Sequence, residues 1–176
     1  MTTSLKASLP YRPGVGIMLV NADNRIFVGQ RFDSTVEAWQ MPQGGIDEGE
    51  DPYTAALREL EEETGVLASL TSLIAETADW LNYDLPDELV GKIWKGRYRG
   101  QRQKWYALRF LGRDQDVNLL AHEAGGHAEF KAWQWASLDQ LAELIVPFKR
   151  ELYTRIVGEL GPHIRRAQPI PGAALP

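Results

Sequence analysis

Apolar positions recur along this chain with two periods, and the switches between them mark out its elements. Gly14 to Val20 and Arg25 to Arg31 are apolar and rich in β-formers. Asn21-Ala22-Asp23-Asn24 between them supplies turn residues, so the pair predicts a hairpin. Trp39 to Met41 then leads into a glycine loop. From Pro52 to Thr64 the period becomes helical: Tyr53, Ala56, Leu57 and Leu60 share a stripe that can bury against a sheet, and small Ala55 lies beneath an acidic face. Asp51 can cap the first turn. Pro52 suits the first helical position, where its missing N–H is no loss, and Gly65 supplies a left-handed end.

Leu67 to Thr77, Lys104 to Leu111 and Phe130 to Ala136 read as further strands, the last two with an alternating component. Ser137 to Leu144 predicts a short helix, with Ser137 and Gln140 as a capping box. A longer helix should run from Pro147 to about Leu160, with Phe148, Leu152, Ile156 and Leu160 inward and Gly161-Pro162 as its stop. The Ala- and Pro-rich tail from Arg165 reads as loose.

Composition narrows the class. At 176 residues and 44% hydrophobic, the chain can bury one domain well but not two. No apolar run approaches the ~20 residues that span a bilayer, and the N-terminus lacks a signal-peptide core, so no membrane partner is expected. With no cysteine, disulfide partners and thiol chemistry are excluded, in agreement with a cytoplasmic setting. A net charge of −5 gives no global attraction to nucleic acid, so any polyanion site must be local.

The chemistry is concentrated in the helix after the glycine loop. Glu59, Glu62 and Glu63 are spaced i, i+3, i+4, and at about 100° per residue they share one arc of the helix. Like charges so placed repel, and a hard divalent ion with oxygen ligands, Mg²⁺ or Mn²⁺, resolves the repulsion. Alone, such a run is more often a solvated face. The wider spacing is more specific: Gly44, five residues, Glu50, seven residues, Arg58-Glu59, an aliphatic, any residue, Glu62-Glu63, any residue, Gly65 and an aliphatic.

In that spacing the chain resembles the Nudix hydrolases. The resemblance implies an α/β/α sandwich with a mixed central sheet, cutting a nucleoside diphosphate linked to another group. It would occupy residues 10–160 as one domain, with 1–9 and 161–176 as flexible extensions. More than one Mg²⁺, or Mn²⁺ in its place, is expected per site. Glu59, Glu62 and Glu63 carry over as catalytic metal ligands, with Gly44 beside them in the metal set. Arg58 would pair with Glu50 to hold loop and helix together, and Gly65 supports the helix end.

The flanks narrow the resemblance. Tyr11-Arg12-Pro13, Trp39-Gln40-Met41-Pro42-Gln43-Gly44-Gly45, Trp80-Leu81-Asn82-Tyr83-Asp84-Leu85-Pro86, Gln103-Lys104-Trp105-Tyr106, Glu129-Phe130 with Trp133 and Trp135, and Phe148-Lys149-Arg150 occur in that order. This is similar to a subgroup of bacterial RNA pyrophosphohydrolases and plant-type asymmetric diadenosine tetraphosphate hydrolases. It implies a further metal carboxylate or base at Glu129, and polyphosphate-facing cations at Arg12, Arg31 and Lys149. Tyr83 and Phe148 match aromatics that stack on or beside bases, with core packing as the rival reading. Gln43 and Lys104 complete the substrate-binding set.

Between Lys92 and Lys104 lie six basic residues and no acidic one, interleaved with Trp94 and Tyr98. That stripe suits phosphates flanked by stackable bases, or is simply a solvated loop. The Asp33-Ser34-Thr35-Val36-Glu37-Ala38 segment is longer than in some relatives, and Ala38 stands where a polar residue often precedes the Trp. His122 and His127 are five apart with glycines between, which reads as a loop rather than a zinc helix.

The expected activity is metal-assisted hydrolysis of a phosphoanhydride, with Glu59 or Glu129 taking the proton from water. Two substrates fit. One is the 5′ end of triphosphorylated RNA, giving pyrophosphate and 5′-monophosphate RNA and so promoting RNA decay. The other is diadenosine tetraphosphate, giving ATP and AMP. A binding module that kept the fold and lost catalysis is the alternative from another class, and its usual mark would be a broken glutamate set.

Overall fold

The computed structural model describes residues 3–32, 36–120 and 128–167. In chain order its elements are α1 (Thr3–Ala7), β1 (Tyr11–Val20), β2 (Ile26–Arg31), β3 (Trp39–Gln40), β4 (Gln43–Gly45), α2 (Pro52–Thr64), β5 (Thr71–Glu76), β6 (Leu81–Asp84), β7 (Gly100–Phe110), β8 (Phe130–Ala136), α3 (Leu141–Leu144) and α4 (Arg150–Arg166). The strands form one mixed sheet. β1 and β7 run parallel from Tyr11 opposite Gly100 to Val20 opposite Arg109, and the other pairings are antiparallel.

Helices cover both faces, and the core is accordingly double. On one side Val15, Ile17, Leu19, Phe27, Tyr106 and Leu108 pack against Ala55, Ala56 and Leu60 of α2. On the other, Met18, Val20, Trp105 and Ala107 pack against Leu141 of α3 and Leu152, Ile156, Leu160 and Ile164 of α4. This is the expected α/β/α sandwich with a mixed sheet. It also explains why β1 reads as a continuous apolar run: Val15 and Ile17 to Val20 are fully buried because both sides of the strand are covered. Gly16 admits the fully buried Trp105, whose ring a Cβ at that position would overlap.

The hairpin turn is as predicted, with Asn21 N–H donating to the Arg25 carbonyl at 2.8 Å and Asn24 at φ 60°. Differences arise where tertiary pairing decides. β1 starts at Tyr11 rather than Gly14, because residues 11–13 already pair with 100–102, and β7 likewise starts before Lys104. The glycine loop itself begins as β4, paired with Gly14–Gly16. The span from Leu67 is not one strand: Ala68–Leu70 is a 3₁₀ turn ahead of β5. β6, not foreseen as a strand, alternates buried Leu81 and Tyr83 with exposed Asn82.

The helix expected to stop at Leu160 continues to Arg166, so Gly161-Pro162 is not its end. Pro162 has no N–H for the Gly158 carbonyl, but Gly158 has open space around it, and fully buried Ile164 anchors the extra turn. Residues of the expected N-terminal extension form α1, whose Lys6 donates to the Leu85 carbonyl at 2.6 Å and pairs with Asp87 at 2.9 Å. Phe148, expected inward, is 37% exposed, whereas Leu152, Ile156 and Leu160 are buried as predicted. The readings placed on Asp33–Thr35, on the His122–His127 loop and on the tail from residue 168 lie outside the described residues.

α4 is bolted to the strand before the glycine loop by one buried hydrogen bond, from Met41 N–H to the Tyr153 hydroxyl at 2.8 Å. Tyr153→Phe removes the acceptor and leaves that N–H buried, which should cost about 1–3 kcal/mol. Denaturant unfolding of the variant checks this, and unchanged stability would show that the bond contributes nothing.

Candidate active site

The site is built where β4 turns into α2. Asp51 caps α2 by accepting from Thr54 N–H at 3.1 Å, and Gly65 ends it at φ 75°. Arg58 then ties the helix to the loop that precedes it. Its Nε and Nη2 donate to the two Glu50 oxygens at 2.9 and 2.8 Å, and Nη2 also donates to the Gly45 carbonyl at 2.9 Å. Glu50 accepts from Asp47 N–H at 3.0 Å as well. The guanidinium, followed by that N–H, holds the Glu50 carboxyl at about 2, far below its ordinary range.

Around this tie the other carboxylates are under electrostatic load. Glu59 lies directly against Gly44, where a Cβ would collide with its carboxyl group, so glycine here makes a cradle. Burial, opposed by Arg58 and aided by the Glu62 charge, lifts Glu59 to about 7. Glu63 is 6% exposed and accepts from Gln43 N–H at 3.1 Å. Burial first, then the Glu59 and Glu129 charges, push it well above the ordinary carboxylate value. Glu62, with 47% of its side chain exposed, meets Arg58 Nη1 at 3.3 Å, and Glu59 meets the same nitrogen at 3.0 Å.

Such a donor set fits a divalent cation: the buried carboxyls of Glu59 and Glu63, repulsion on Glu63 from Glu59 and Glu129, and a glycine cradle beneath Glu59. Among the described residues no three His, Asp or Glu side chains are yet gathered closely enough to enclose an ion. Glu59 and Glu62 face Arg58 instead.

Of the substrate-facing candidates, Arg12 meets the same loop. Arg12 lies on Gly45, where a Cβ would strike its guanidinium, and its charge reaches Glu59 and Tyr83. The Arg31 charge acts on Glu63, Tyr83 and Lys149. Lys149 is 8% exposed and sits 5.1 Å over the Tyr83 ring; burial, then Arg31, lowers its amine to about 8. Tyr83 and Phe148 stand 6.2 Å apart beside a cavity of about 360 Å³ that also reaches Asp84 and Arg155. Lys104 is not brought to this group: its amine donates to the Ala78 carbonyl at 3.2 Å.

A buried polar ladder went unrecognised as such in the sequence. Trp105 Nε1 donates to Gln103 Oε1 at 3.0 Å, and Gln103 Nε2 donates to Gln43 at 2.8 Å and to Gln101 at 2.6 Å. The Tyr83 hydroxyl completes it, donating to Gln101 at 3.2 Å. The ladder fixes Gln43 and Tyr83, one on each side of the cleft. Its signal was the period-two pattern Gln101, Gln103, Trp105, whose face of the strand is buried while Arg102 between them is exposed.

A mixed sheet between helices, with a glycine loop cradling a carboxylate of the next helix, is the arrangement of a phosphoanhydride hydrolase. The NUDIX domain model matches residues 10–156, and the chain belongs to the Nudix family. Members of that family generally use divalent metal ions. The chain is 60% identical to the RNA pyrophosphohydrolase of Rhodospirillum rubrum, covering 88% of this chain and 89% of that protein. Against the RNA pyrophosphohydrolase of Roseobacter denitrificans it is 55% identical, covering 93% and 100%. Among solved structures, a C. elegans Ap4A hydrolase complex superposes with TM-score 0.60 at 20% identity, over 86% of this chain and 98% of that one. The E. coli dihydroneopterin triphosphate pyrophosphohydrolase does so at 0.63 and 21%, over 84% and 97%. At those identities the structures show the shared fold.

Arg58→Lys keeps the charge but loses the fork that grips Glu50 and Gly45 together. Turnover should fall roughly 10–100-fold and the metal concentration for half-activity should rise. Steady-state kinetics across a Mg²⁺ titration reads both; an unchanged metal requirement would show that the fork does not position the ligands.

Proposed function

We propose that this enzyme removes pyrophosphate from the 5′ end of triphosphorylated RNA, leaving a 5′-monophosphate that opens the transcript to decay. The observation that carries the reading is the two-sided cleft: loaded carboxylates on the α2 side, and Arg12, Arg31 and Lys149 with the Tyr83–Phe148 pair facing them. The identity to RNA pyrophosphohydrolases supports it. Its setting is the cytoplasm, where new transcripts carry triphosphates.

Glu59, Glu62, Glu63 and Glu129 would hold Mg²⁺, replaceable by Mn²⁺, at more than one position, with Gly44 supplying the cradle. When bound, the metal would polarise the phosphate oxygens and lower the pKa of the attacking water. Arg12, Arg31 and Lys149 neutralise the phosphate oxygens as charge moves onto the leaving pyrophosphate. Tyr83 and Phe148 hold a base, and Gln43, fixed by the ladder, lines the path between. Glu59 or Glu129 takes the proton from water. Lys104 reaches the substrate only if it leaves the Ala78 carbonyl. Atoms balance simply: water adds across one anhydride, giving pyrophosphate and the monophosphate end.

The aromatic pair also favours a second reading, since adenine stacks there as readily as an RNA base: hydrolysis of diadenosine tetraphosphate to ATP and AMP. A non-catalytic binding module has less support, because Glu59, Glu62 and Glu63 of the Gly44–Gly65 motif are all present.

A competition between 5′-triphosphorylated RNA and diadenosine tetraphosphate, comparing kcat/KM with Mg²⁺ and with Mn²⁺, separates the substrates. RNA should win with either metal, and a large preference for the dinucleotide would overturn the ranking.

Glu62→Gln should still bind RNA while losing more turnover than the roughly 10–100-fold typical of changes outside the ligand set. Its half-exposed side chain carries no core packing, and a thermal melt verifies that the fold stands. Near-normal turnover with Mg²⁺ would sink the metal assignment.

A further inference from the structure

The segment between β6 and β7 carries charge that the chemistry above does not use. Its ends are pinned: Leu85 N–H donates to the Arg99 carbonyl at 2.8 Å, and Arg99 pairs with Asp84 at 2.8 Å while stacking on Tyr11. Lys6 neutralises Asp87 near the start. Beyond Glu88 the character changes. Lys92, Lys95 and Arg97 are exposed, and no carboxylate pairs with them among the described residues. In a chain of net charge −5 this is a local reversal of sign.

The backbone of that segment is strained. Trp94 and Lys95 both take left-handed conformations, φ 50° and φ 57°, which side chains other than glycine rarely adopt. The turn sets the Trp94 indole 5.4 Å from the Arg12 guanidinium, with Tyr98 edge-on at 6.3 Å. Arg12 in turn lies on Gly45 of the glycine loop. An unbroken line therefore runs from the loaded carboxylates through Arg12 and Trp94 to Lys92, Lys95 and Arg97.

We propose that this basic, aromatic turn is a track for the single-stranded RNA body downstream of the 5′ end. Trp94 and Tyr98 offer faces on which bases stack without regard to sequence, and Lys92, Lys95 and Arg97 meet the following phosphates. The proposal rests on the RNA reading of the active site and extends it. Grip on the RNA body lets a chain of acidic balance hold a long polyanion while the cutting centre sees only its end. A dinucleoside polyphosphate, whose phosphates end within the cleft, has nothing to place on the track.

The test compares a 5′-triphosphorylated dinucleotide with a 5′-triphosphorylated twelve-nucleotide RNA, for the wild-type chain and for K92Q/K95Q/R97Q. The wild type should show a lower KM for the longer RNA. The triple variant should raise that KM about tenfold, and should flatten the log–log salt dependence by roughly 2, since each phosphate neutralised on a single strand contributes about 0.7. Its kcat, and its kinetics on the dinucleotide, should hold. Equal effects on both lengths, or none on either, would overturn the track and leave the RNA reading standing. Cleavage of diadenosine tetraphosphate with neither RNA cut would overturn the RNA reading and the track with it.

Discussion

Everything at the cutting centre depends on how Arg58 is shared. One guanidinium grips both oxygens of Glu50, the Gly45 carbonyl, and the near oxygens of Glu59 and Glu62. The glycine loop has little side chain of its own to hold it, so this fork, with the Gln43 N–H to Glu63 bond beside it, is what ties loop to helix. The tie also explains how several carboxylates can share a partly buried face: one positive charge offsets part of their repulsion, and the rest is left for a cation. Glu50 and Glu63 show the division. The first is pulled far into its charged form by Arg58, while the second is pushed toward its neutral form by burial and its acidic neighbours.

How much of this could be read from the sequence follows from the range of the interactions. The cap at Asp51, the first-turn proline and the left-handed Gly65 act within a few residues, so α2 was legible from end to end. The Glu50–Arg58 pair was legible too, because its spacing is part of a local motif. β4 and β6 were not, since they exist as strands only by pairing with β1 and β7. Pro162 misled for the same reason in reverse: a strong local stop signal yields to a buried Ile164 two residues further on.

The substrate side shows what residue identity can and cannot say. Tyr83 and Phe148 each allowed a core reading and a binding reading. Structure separates them, with Tyr83 8% exposed and tied into the amide ladder, and Phe148 turned out to solvent beside it. The ladder itself escaped notice because two glutamines on a strand look like surface residues until the face that carries them is covered. Lys104, one position along from Gln103, points the other way by the alternation of the strand and finds the Ala78 carbonyl.

The two sides of the cleft meet opposite problems with opposite solutions. Carboxylates are gathered where burial penalises their charge and lifts Glu59 and Glu63 above the ordinary carboxylate range, which makes them avid for a cation. Lys149 is treated likewise: burial, then the Arg31 charge, lowers its amine to about 8, and a phosphate placed beside it would favour its charged form. Each half of the cleft is therefore destabilised by its own charges and relieved by the ligand it is built to receive. A protein with net charge −5 can then select a polyanion, since the attraction is generated at the point of contact rather than spread over the surface.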